Sequence, residues 1–275
     1  MTLETAVVQH YTRPDLETEI MRGLAAAGLD LDALTPADLA PIDEFHVGGR
    51  EATLDFARRL ELGPDVRLLD IGAGIGGPAR TLATEFGARV TGIDLTPEFV
   101  AVAGSLTRLV GLADRVAFEQ ASATVLPFPD ASFDRAMLIH VGMNLADKPA
   151  AFCEVRRVLR QGGLFGLYEV MRTGPADLTF PLPWASGPDQ SALATPDDYR
   201  AGLAAAGFDI VHERGRRAMA LDYFARIRAR MEAEGPPALG LHVLVGPGFP
   251  ERIAKMVAAL QAGTVEPVEM IARAP

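Results

Sequence analysis

The fold is decided by the stretch Val66-Arg67-Leu68-Leu69-Asp70-Ile71-Gly72-Ala73-Gly74-Ile75-Gly76-Gly77-Pro78-Ala79-Arg80. An apolar run that ends in an acidic residue is followed by a glycine cluster and a helix-forming segment, which predicts a buried strand, a tight turn and a helix start. Glycine has no Cβ, so Gly72 and Gly74 allow the sharp turn and let a ligand approach the backbone. Free N–H groups of the following helix would face that ligand. The stretch therefore predicts a site for a nucleotide-like ligand.

Composition and charge restrict the kind of protein this is. With 275 residues, 49% of them hydrophobic, the chain can bury a sizeable core as one large or two small domains. The net charge of -10 argues against nucleic acid as a partner. The single cysteine, Cys153, excludes a cysteine-cluster metal site and suits a reducing cytoplasm. Since neither a signal peptide nor an apolar run of roughly 20 residues is found, we expect a soluble cytoplasmic protein without a membrane span.

Strand and helix patterns alternate from Val66 onward, which predicts a parallel sheet with helices on both faces. Gly162 and Gly163 are predicted to close the helix before the fifth strand. The predicted strands are 66–71, 89–94, 115–120, 133–140, 164–171, 208–213 and 265–272, and the predicted helices between them are 78–86, 97–110, 148–160 and 195–206.

The segments 1–60 and 217–263 are predicted to be helical pieces, and 173–188 is predicted to be a loop. Leu16, Ile20 and Leu24 fall on one face at helical spacing in the N-terminal segment. The polar, glycine-bearing turn over 44–51 either closes over a pocket or is a simple loop. The predicted division is an N-terminal helical cap at 1–60, a core at 61–213, a helical insertion forming part of the acceptor cap at 214–264, and a final core strand at 265–275.

The glycine motif alone leaves the ligand open. Gly72-x-Gly74-x-x-Gly77 matches the dinucleotide-binding fingerprint, so an NAD-dependent oxidoreductase is one hypothesis. Asp94 is predicted to end the next strand, where its carboxylate can accept hydrogen bonds from both hydroxyls of a ribose. NAD and S-adenosylmethionine both carry that ribose. Asp70 and Asp94 can instead merely cap the ends of their strands.

Further blocks follow in a characteristic order. Asp70 stands directly before the glycines, Gln120-Ala121-Ser122-Ala123 follows the third strand, and Leu126-Pro127-Phe128-Pro129-Asp130-Ala131-Ser132-Phe133-Asp134 leads into the fourth. With these blocks, residues 66–171 resemble class I S-adenosylmethionine-dependent methyltransferases, in particular the small-molecule branch with the sarcosine, phosphoethanolamine, tocopherol, sterol and quinone enzymes. The resemblance implies an α/β fold with a Rossmann-like, seven-stranded, mostly parallel sheet and a helical cap. It also implies S-adenosylmethionine as cofactor and S-adenosylhomocysteine as product.

The resemblance assigns cofactor contacts to positions of this chain. The backbone of Gly72, Ala73 and Gly74 would hold the methionine and ribose portion of the cofactor. Asp70 would tether that loop or the amino group of the ligand. Asp94 would bind the ribose hydroxyls.

The same resemblance assigns the adenine and lid contacts. Leu95 would lie against the adenine, beside the segment Ala121, Ser122 and Ala123. The family commonly has an acidic residue where this chain has Ser122, so the contact to the adenine amino group would come from the serine hydroxyl or the Ala123 N–H. Tyr11 resembles residues that cover the cofactor in related enzymes.

In this family's reaction a nucleophile attacks the sulfonium methyl in line. Alignment of two reactants supplies roughly 7–11 kcal/mol, whereas a positioned base contributes about 10²- to 10⁴-fold. His140 is predicted at the end of the fourth strand, and it is a general base, a cofactor contact through its backbone, or a structural residue. Tyr168, Glu169 and Asn144 are candidates for facing the acceptor, or are polar groups satisfied within the loops.

The sequence constrains the identity of the acceptor and the residues of its pocket less closely. Trp184, Phe180, Phe224 and Met219 either wall an apolar acceptor pocket or pack the core of the cap. Cys153 is expected to be an inert packing residue, and no metal site is predicted. The first hypothesis is methyl transfer to a N, O or C atom of a small metabolite by a monomer or homodimer. The alternatives are an NAD-dependent oxidoreductase and a non-catalytic S-adenosylmethionine-binding protein.

Overall fold

A seven-stranded sheet is the frame of the part of the chain that the structure, a computed structural model, describes: residues 2–246 and 248–275. The strands are β1 (Arg67–Ile71), β2 (Arg89–Asp94), β3 (Val116–Gln120), β4 (Phe133–Ile139), β5 (Leu159–Arg172), β6 (Asp209–Gly215) and β7 (Val265–Arg273). Their order across the sheet is β3-β2-β1-β4-β5-β7-β6, and β7 runs antiparallel to both of its neighbours. The predicted Rossmann-like, mostly parallel sheet is confirmed. The strand order reverses between β1 and β4, which is where such sheets bind ligands.

Helices cover both faces of the sheet. They are α1 (Leu3–Tyr11), α2 (Leu16–Ala26), α3 (Pro36–Asp43), α4 (Gly49–Ala57), α5 (Gly77–Phe86), α6 (Pro97–Leu109), α7 (Lys148–Val158), α8 (Pro196–Ala205), α9 (Arg217–Glu234), α10 (Leu241–Val245) and α11 (Phe249–Gln261). None of the described helices is long and apolar enough to cross a membrane. The proposed division of the chain into cap, core and insertion stays a prediction.

Apolar side chains fill a layer on each face of the sheet. Phe152 of α7 packs with Phe165 of β5 on one face, and Phe56 of α4 packs with Met137 of β4 on the other. Each fully buried side chain of this size stabilises the fold by about 1.5–3 kcal/mol. These layers hold the carboxyl ends of the parallel strands at one edge of the sheet.

Two apolar clusters lie outside the layers of the sheet. The predicted helical face of Leu16, Ile20 and Leu24 is fully buried, and it packs in one cluster with α6 and with Leu244 of α10. The other cluster joins Trp184 to α11 and β7. The N-terminal and C-terminal helices are therefore packed above the edge of the sheet where the strands end.

The predicted role of Gly162 and Gly163 is wrong. α7 ends at Val158, and β5 begins at the next residue and passes through both glycines. The Gly162 N–H donates to the Ala274 carbonyl over 2.7 Å, and the Ala274 N–H donates to the Gly163 carbonyl over 2.9 Å. Pairing with the end of the chain thus extends the strand where the local pattern predicted a helix cap.

The predicted packing of Cys153 is also wrong, because its side chain is exposed. Ala151, Phe152 and Val155 form the buried face of α7 at helical spacing. Cys153 lies between them in sequence but on the opposite side of the helix.

Candidate active site

A cavity of about 1160 Å³ opens at the carboxyl ends of β1, β2 and β4. Its walls include loops of the sheet, α1, and the C-terminal helices α9 to α11. Of the residues predicted from the sequence, the lining contains Tyr11, Asp70, Gly72, Ala73, Gly74, Asp94, Leu95, Ala121, Ala123, His140 and Asn144. The structure therefore brings residues from strands far apart in the chain to one place.

The glycine loop after β1 is fixed by its own backbone. Gly72 and Gly74 have φ of +71° and +56°, in the left-handed region that favours glycine. A Cβ on Gly72 would collide with Val141, whereas at Gly74 the same position is open space, which leaves room for a ligand. The N–H groups of Gly72 and Ala73 donate to the Ile93 carbonyl over 2.8 and 2.9 Å. The loop is thus held against β2 before any ligand arrives.

Asp94 closes the other side of the loop. One carboxylate oxygen accepts from the Gly74 N–H and the other from the Thr96 N–H, both over 2.9 Å. Each carboxylate oxygen has a second lone pair, so Asp94 remains able to accept from the two hydroxyls of a ribose. Burial raises the pKa of Asp94, and the hydrogen bonds from Thr96 and Gly74 oppose that change.

Asp70 presents an unsatisfied acceptor to the cavity. Its Oδ2 is buried and has no hydrogen-bond partner among the described residues. Burial, together with the charges of Glu44 and Asp94, raises the pKa of Asp70 to about 8. A cationic group placed beside this carboxyl would restore its ionised form. The site therefore fits the sulfonium and ammonium groups of S-adenosylmethionine.

The same carboxyls disfavour a dinucleotide. In dinucleotide folds the pyrophosphate lies at the N-terminus of the helix after the glycine loop. Here Asp43 lies against Gly77, the first residue of that helix, and Asp70 lies near the end of the preceding strand. Their carboxyls offer a pyrophosphate no positive charge, and the ionised form of Asp70 would repel it.

A buried polar network supports the loop from below. The Arg80 guanidinium donates to the Asp43 carboxylate and to the Ile75 carbonyl, both over 2.7 Å. Glu44 accepts from the hydroxyls of Thr53 and Thr81, both over 2.7 Å. These contacts join α3 and α4 to α5, so the N-terminal helices and the glycine loop form one unit.

His140 follows β4 in a strained conformation. Its φ of +54° lies in the left-handed region, which is costly for a residue with a side chain. The His140 N–H donates to the Tyr168 carbonyl over 2.8 Å. The Glu169 carboxylate then accepts from the N–H groups of Val141 over 3.0 Å and Gly142 over 2.7 Å. Glu169 therefore acts on the loop backbone.

A second histidine, His46, lines the cavity with its ring centroid 5.9 Å from that of His140. The His46 Nε2 lies 3.1 Å from the Gly49 carbonyl oxygen and 3.0 Å from the Thr53 hydroxyl. Because Thr53 donates its own proton to Glu44, we assign the ring proton of His46 to Nε2. Nδ1 is then left as an acceptor.

Both rings are uncharged near neutral pH. Burial lowers the pKa of His46 to about 4. Burial, and then the proximity of His46, lowers the pKa of His140 well below its ordinary value. Sequence reasoning missed His46, although closing over a pocket is one of the two predictions for the polar turn that contains it.

Three predicted site residues lie outside the lining: Ser122, Tyr168 and Glu169. The Tyr168 hydroxyl donates to the Val47 carbonyl over 3.0 Å, and its side chain is fully buried. The Ser122 hydroxyl donates to Glu4 of α1 over 2.7 Å. Thr124, two residues further on, lines the cavity in its place. This geometry therefore does not support direct contact between a ligand and Ser122, Tyr168 or Glu169.

Asn144 joins three parts of the wall. The Tyr11 hydroxyl donates to its Oδ1 over 3.1 Å, and its Nδ2 donates to the Trp184 carbonyl over 2.8 Å. Trp184 and Phe224 line the cavity, in agreement with the prediction that they wall a pocket. Phe180 and Met219 pack in the neighbouring apolar cluster instead. Asn144 thus ties α1 to the loop before α8.

Residues 69–167 match a sequence family described as a methyltransferase domain. This part of the chain is a methyltransferase domain. The match begins in β1 and ends in β5, so it includes the glycine loop, Asp94 and His140. The resemblance to methyltransferases seen in the sequence is confirmed over these residues. A geranyl diphosphate methyltransferase and a phosphoethanolamine N-methyltransferase of similar fold were both solved with S-adenosylmethionine.

Curated relatives are similar to only part of this chain. Sterol 24-C-methyltransferase ERG6B of Gibberella zeae is 33% identical over 162 residues, which are 57% of this chain and 43% of that protein. The chain spans half or less of the length of the curated relatives that it matches first. The match to these relatives is therefore partial and centred on the methyltransferase domain.

Solved structures match the whole chain at lower identity. The [4+2]-cyclase SpnF has a TM-score of 0.70 and 24% identity, covering 100% of this chain and 97% of its own. Geranyl diphosphate C-methyltransferase from Streptomyces coelicolor A3(2), solved with S-adenosyl-L-homocysteine, has a TM-score of 0.71 and 16% identity, covering 100% and 99%. At these identities the structures show a similarity of fold alone. That similarity includes the helices around the methyltransferase domain, because the whole chain is covered.

Proposed function

We propose that this protein transfers the methyl group of S-adenosylmethionine to a nucleophilic atom of a small-molecule acceptor. One observation carries the proposal: two neutral imidazoles, His46 and His140, line the same cavity as the glycine loop and the unsatisfied Asp70 carboxyl. A cation site and a pair of proton acceptors thus share one cavity, which suits methyl transfer from a sulfonium to an acceptor that loses a proton.

The cofactor contacts follow from the geometry of the loops. We assign the ribose hydroxyls to Asp94, the amino group to Asp70, and the methionine portion to the backbone of Gly72, Ala73 and Gly74. The adenine lies between Leu95 and the segment Ala121 to Thr124, in this proposal. When bound, S-adenosylmethionine supplies the electrophilic methyl: the acceptor's lone pair forms the new bond, and the electron pair of the broken C–S bond stays on sulfur.

The residues of this chain align the acceptor and take up its proton. The walls formed by α1 and α9 to α11 hold the acceptor in line, the larger contribution at roughly 7–11 kcal/mol. His140, neutral near pH 7, accepts the proton that the acceptor loses, and His46 lies beside it as a second acceptor. Glu169 acts as a positioning residue, since it holds the loop that carries His140.

A labelled methyl donor tests the proposal directly. The protein would be incubated with isotopically methyl-labelled S-adenosylmethionine and a metabolite extract, and labelled products identified by mass. We expect one labelled product class whose formation requires the intact His140. Binding of S-adenosylhomocysteine without any labelled product would make the protein a non-catalytic cofactor-binding protein. This outcome has to be tested because one fold supports more than one chemistry.

We infer that the protein works in the cytoplasm as a monomer or homodimer without a nucleic-acid partner. The net charge of -10 and the single cysteine support this assignment. Light scattering of the purified protein would give the oligomeric state, and a larger assembly would contradict it.

A further inference from the structure

The cavity is larger than one ligand needs. Pockets that hold a single small molecule usually measure about 300–1,000 Å³, whereas this one measures about 1160 Å³. The cofactor contacts proposed above use only the loops after β1, β2 and β3. The remaining wall includes α9 to α11 and the loop that carries Trp184. This second part of the cavity, here called the acceptor chamber, is available for the acceptor.

The wall of the acceptor chamber is apolar. Its large side chains include Trp184, Phe224, Ile227, Met231, Phe249 and Ile253. Phe224, Ile227 and Met231 recur at helical spacing, so they form one face of α9. Ile227 and Met231 are 37% and 45% exposed. An apolar ligand in the chamber would remove this surface from water, which stabilises binding.

Six charged side chains of α9 pair with one another along the helix. Arg226 pairs with Asp222, Arg228 with Glu232 and Arg230 with Glu234, each one helical turn apart. Of the described lining residues, Arg228 is the one with a permanent positive charge, and its side chain is 77% exposed. A phosphate group is normally held by several charge-assisted donors. The acceptor chamber lacks such a set among the described residues.

The acidic side chain that α9 contributes to the lining, Glu232, pairs with Arg228. Asp70 and Asp94, the carboxyls proposed to face the cationic cofactor, would not stabilise an anionic acceptor beside them. A cationic acceptor would meet that cofactor's own positive charge, and it would lose its hydration against an apolar wall. Both signs of charge on the acceptor are therefore unfavourable.

We propose that the acceptor chamber binds an uncharged, mainly apolar molecule whose one polar atom faces His46 and His140. This inference rests on the proposed function, because it names the acceptor class for that reaction. It separates this chain from its relatives named for phosphoethanolamine, and it places the methylated atom at the polar end of an otherwise apolar acceptor.

Three probes with one carbon skeleton test the inference: farnesol, farnesyl phosphate and farnesylamine, titrated into the protein saturated with S-adenosylhomocysteine. Trp184 is the chain's single tryptophan and lines the cavity, so its fluorescence reports binding in the acceptor chamber. We expect saturable quenching by farnesol, with the phosphate and the amine binding at least about tenfold more weakly. Equal or tighter binding of either charged probe, or no saturable quenching by farnesol, would overturn the inference.

A matched pair of variants locates the site. Ile227→Lys places a charge on the apolar face of α9, and we expect farnesol to bind on the order of tenfold more weakly. Val211→Lys adds the same charge at a 52% exposed position on β6, outside the lining, and is expected to change nothing. Equal farnesol affinity in both variants would contradict the assignment. Calorimetric titration with S-adenosylhomocysteine alone separates the two proposals, since its failure to bind would refute the proposed function instead.

Discussion

The buried Glu169 carboxylate accepts a 2.7 Å hydrogen bond from the backbone N–H of Gly142. Its other oxygen accepts from Val141, so a side chain on β5 holds two successive N–H groups of the turn after β4. His140, with its strained backbone, stands at the start of this turn. The hydrogen bonds that hold the turn with His140 at the cavity therefore come from Glu169, a residue outside the cavity lining.

Replacing Glu169 by Gln tests this support. The amide NH₂ group cannot accept a hydrogen bond, so one buried N–H loses its partner, and we expect the free energy of unfolding to fall by about 1–3 kcal/mol. Urea unfolding would measure the change. Glu119→Gln, an exposed exchange on β3, is the control and should stay within about 0.5 kcal/mol. Equal stability of the two variants would contradict a supporting role for Glu169.

Asp94→Asn tests the ribose contact. The exchange removes the charge and one acceptor, and we expect the binding of S-adenosylhomocysteine to weaken by roughly 1.5–3 kcal/mol. Calorimetric titration measures the affinity, with the exposed Asp177→Asn variant as control. An affinity like that of the unmodified protein would remove Asp94 from the cofactor site.

His140→Asn separates proton acceptance from cofactor binding. If His140 is the base, we expect turnover to fall by about 10²- to 10⁴-fold, while the affinity for S-adenosylhomocysteine changes little. His212→Asn, on β6 outside the lining, should leave both unchanged. The opposite pattern in His140→Asn, with weakened cofactor binding and normal turnover, would make it a cofactor contact.

The pH profile of turnover gives a second measure of His140. Because burial lowers its pKa well below the ordinary value of 6.5, the imidazole stays uncharged through the physiological range. The acid limb of the profile should therefore lie below pH 6.5. A limb above that value would assign the proton acceptor to another group.

Asp70 makes the stability of the cofactor-free protein fall as pH rises. Burial raises the pKa of this carboxyl to about 8, so the folded protein keeps a proton that the unfolded chain releases. This stability is fully present below the unfolded pKa of about 4 and is lost as pH rises through 8.

Asp70→Asn should flatten that dependence. Each unit of pKa difference corresponds to about 1.4 kcal/mol, so the loss is measurable by urea unfolding between pH 5 and pH 8, the range set by the raised pKa. Asp177→Asn should keep the slope of the unmodified protein. Stability that increases with pH over this range would show that Asp70 is ionised without the cofactor.

Predictions from the sequence succeeded where the relevant contacts are local. Asp70, Asp94 and His140 stand at the ends of apolar strands, and parallel strands bring such ends to one edge. The order of motifs then favoured S-adenosylmethionine over the dinucleotide that the glycines alone left open. Of this site, the wall of the cavity nearest the sheet could therefore be predicted residue by residue.

Side chains whose partners are distant in the chain could not be placed in this way. Tyr168 bonds to Val47, 121 residues away, and Ser122 bonds to Glu4, 118 residues away. Each partner lies in the N-terminal helical region, whose position over the sheet is set by tertiary packing. The same packing brings His46 to the cavity, and no spacing near that residue indicates it.

The Ser122 to Glu4 bond bears on what happens after methyl transfer. Together with the bond from Tyr11 to Asn144, it fastens α1 over the segment assigned to the adenine, while the sheet beneath has its own core. Spent cofactor can leave once these side-chain bonds break, without any strand separating. We therefore expect exit of the product to be a separate step, whose rate depends on how firmly the nine residues of α1 are held rather than on the chemistry at the histidines.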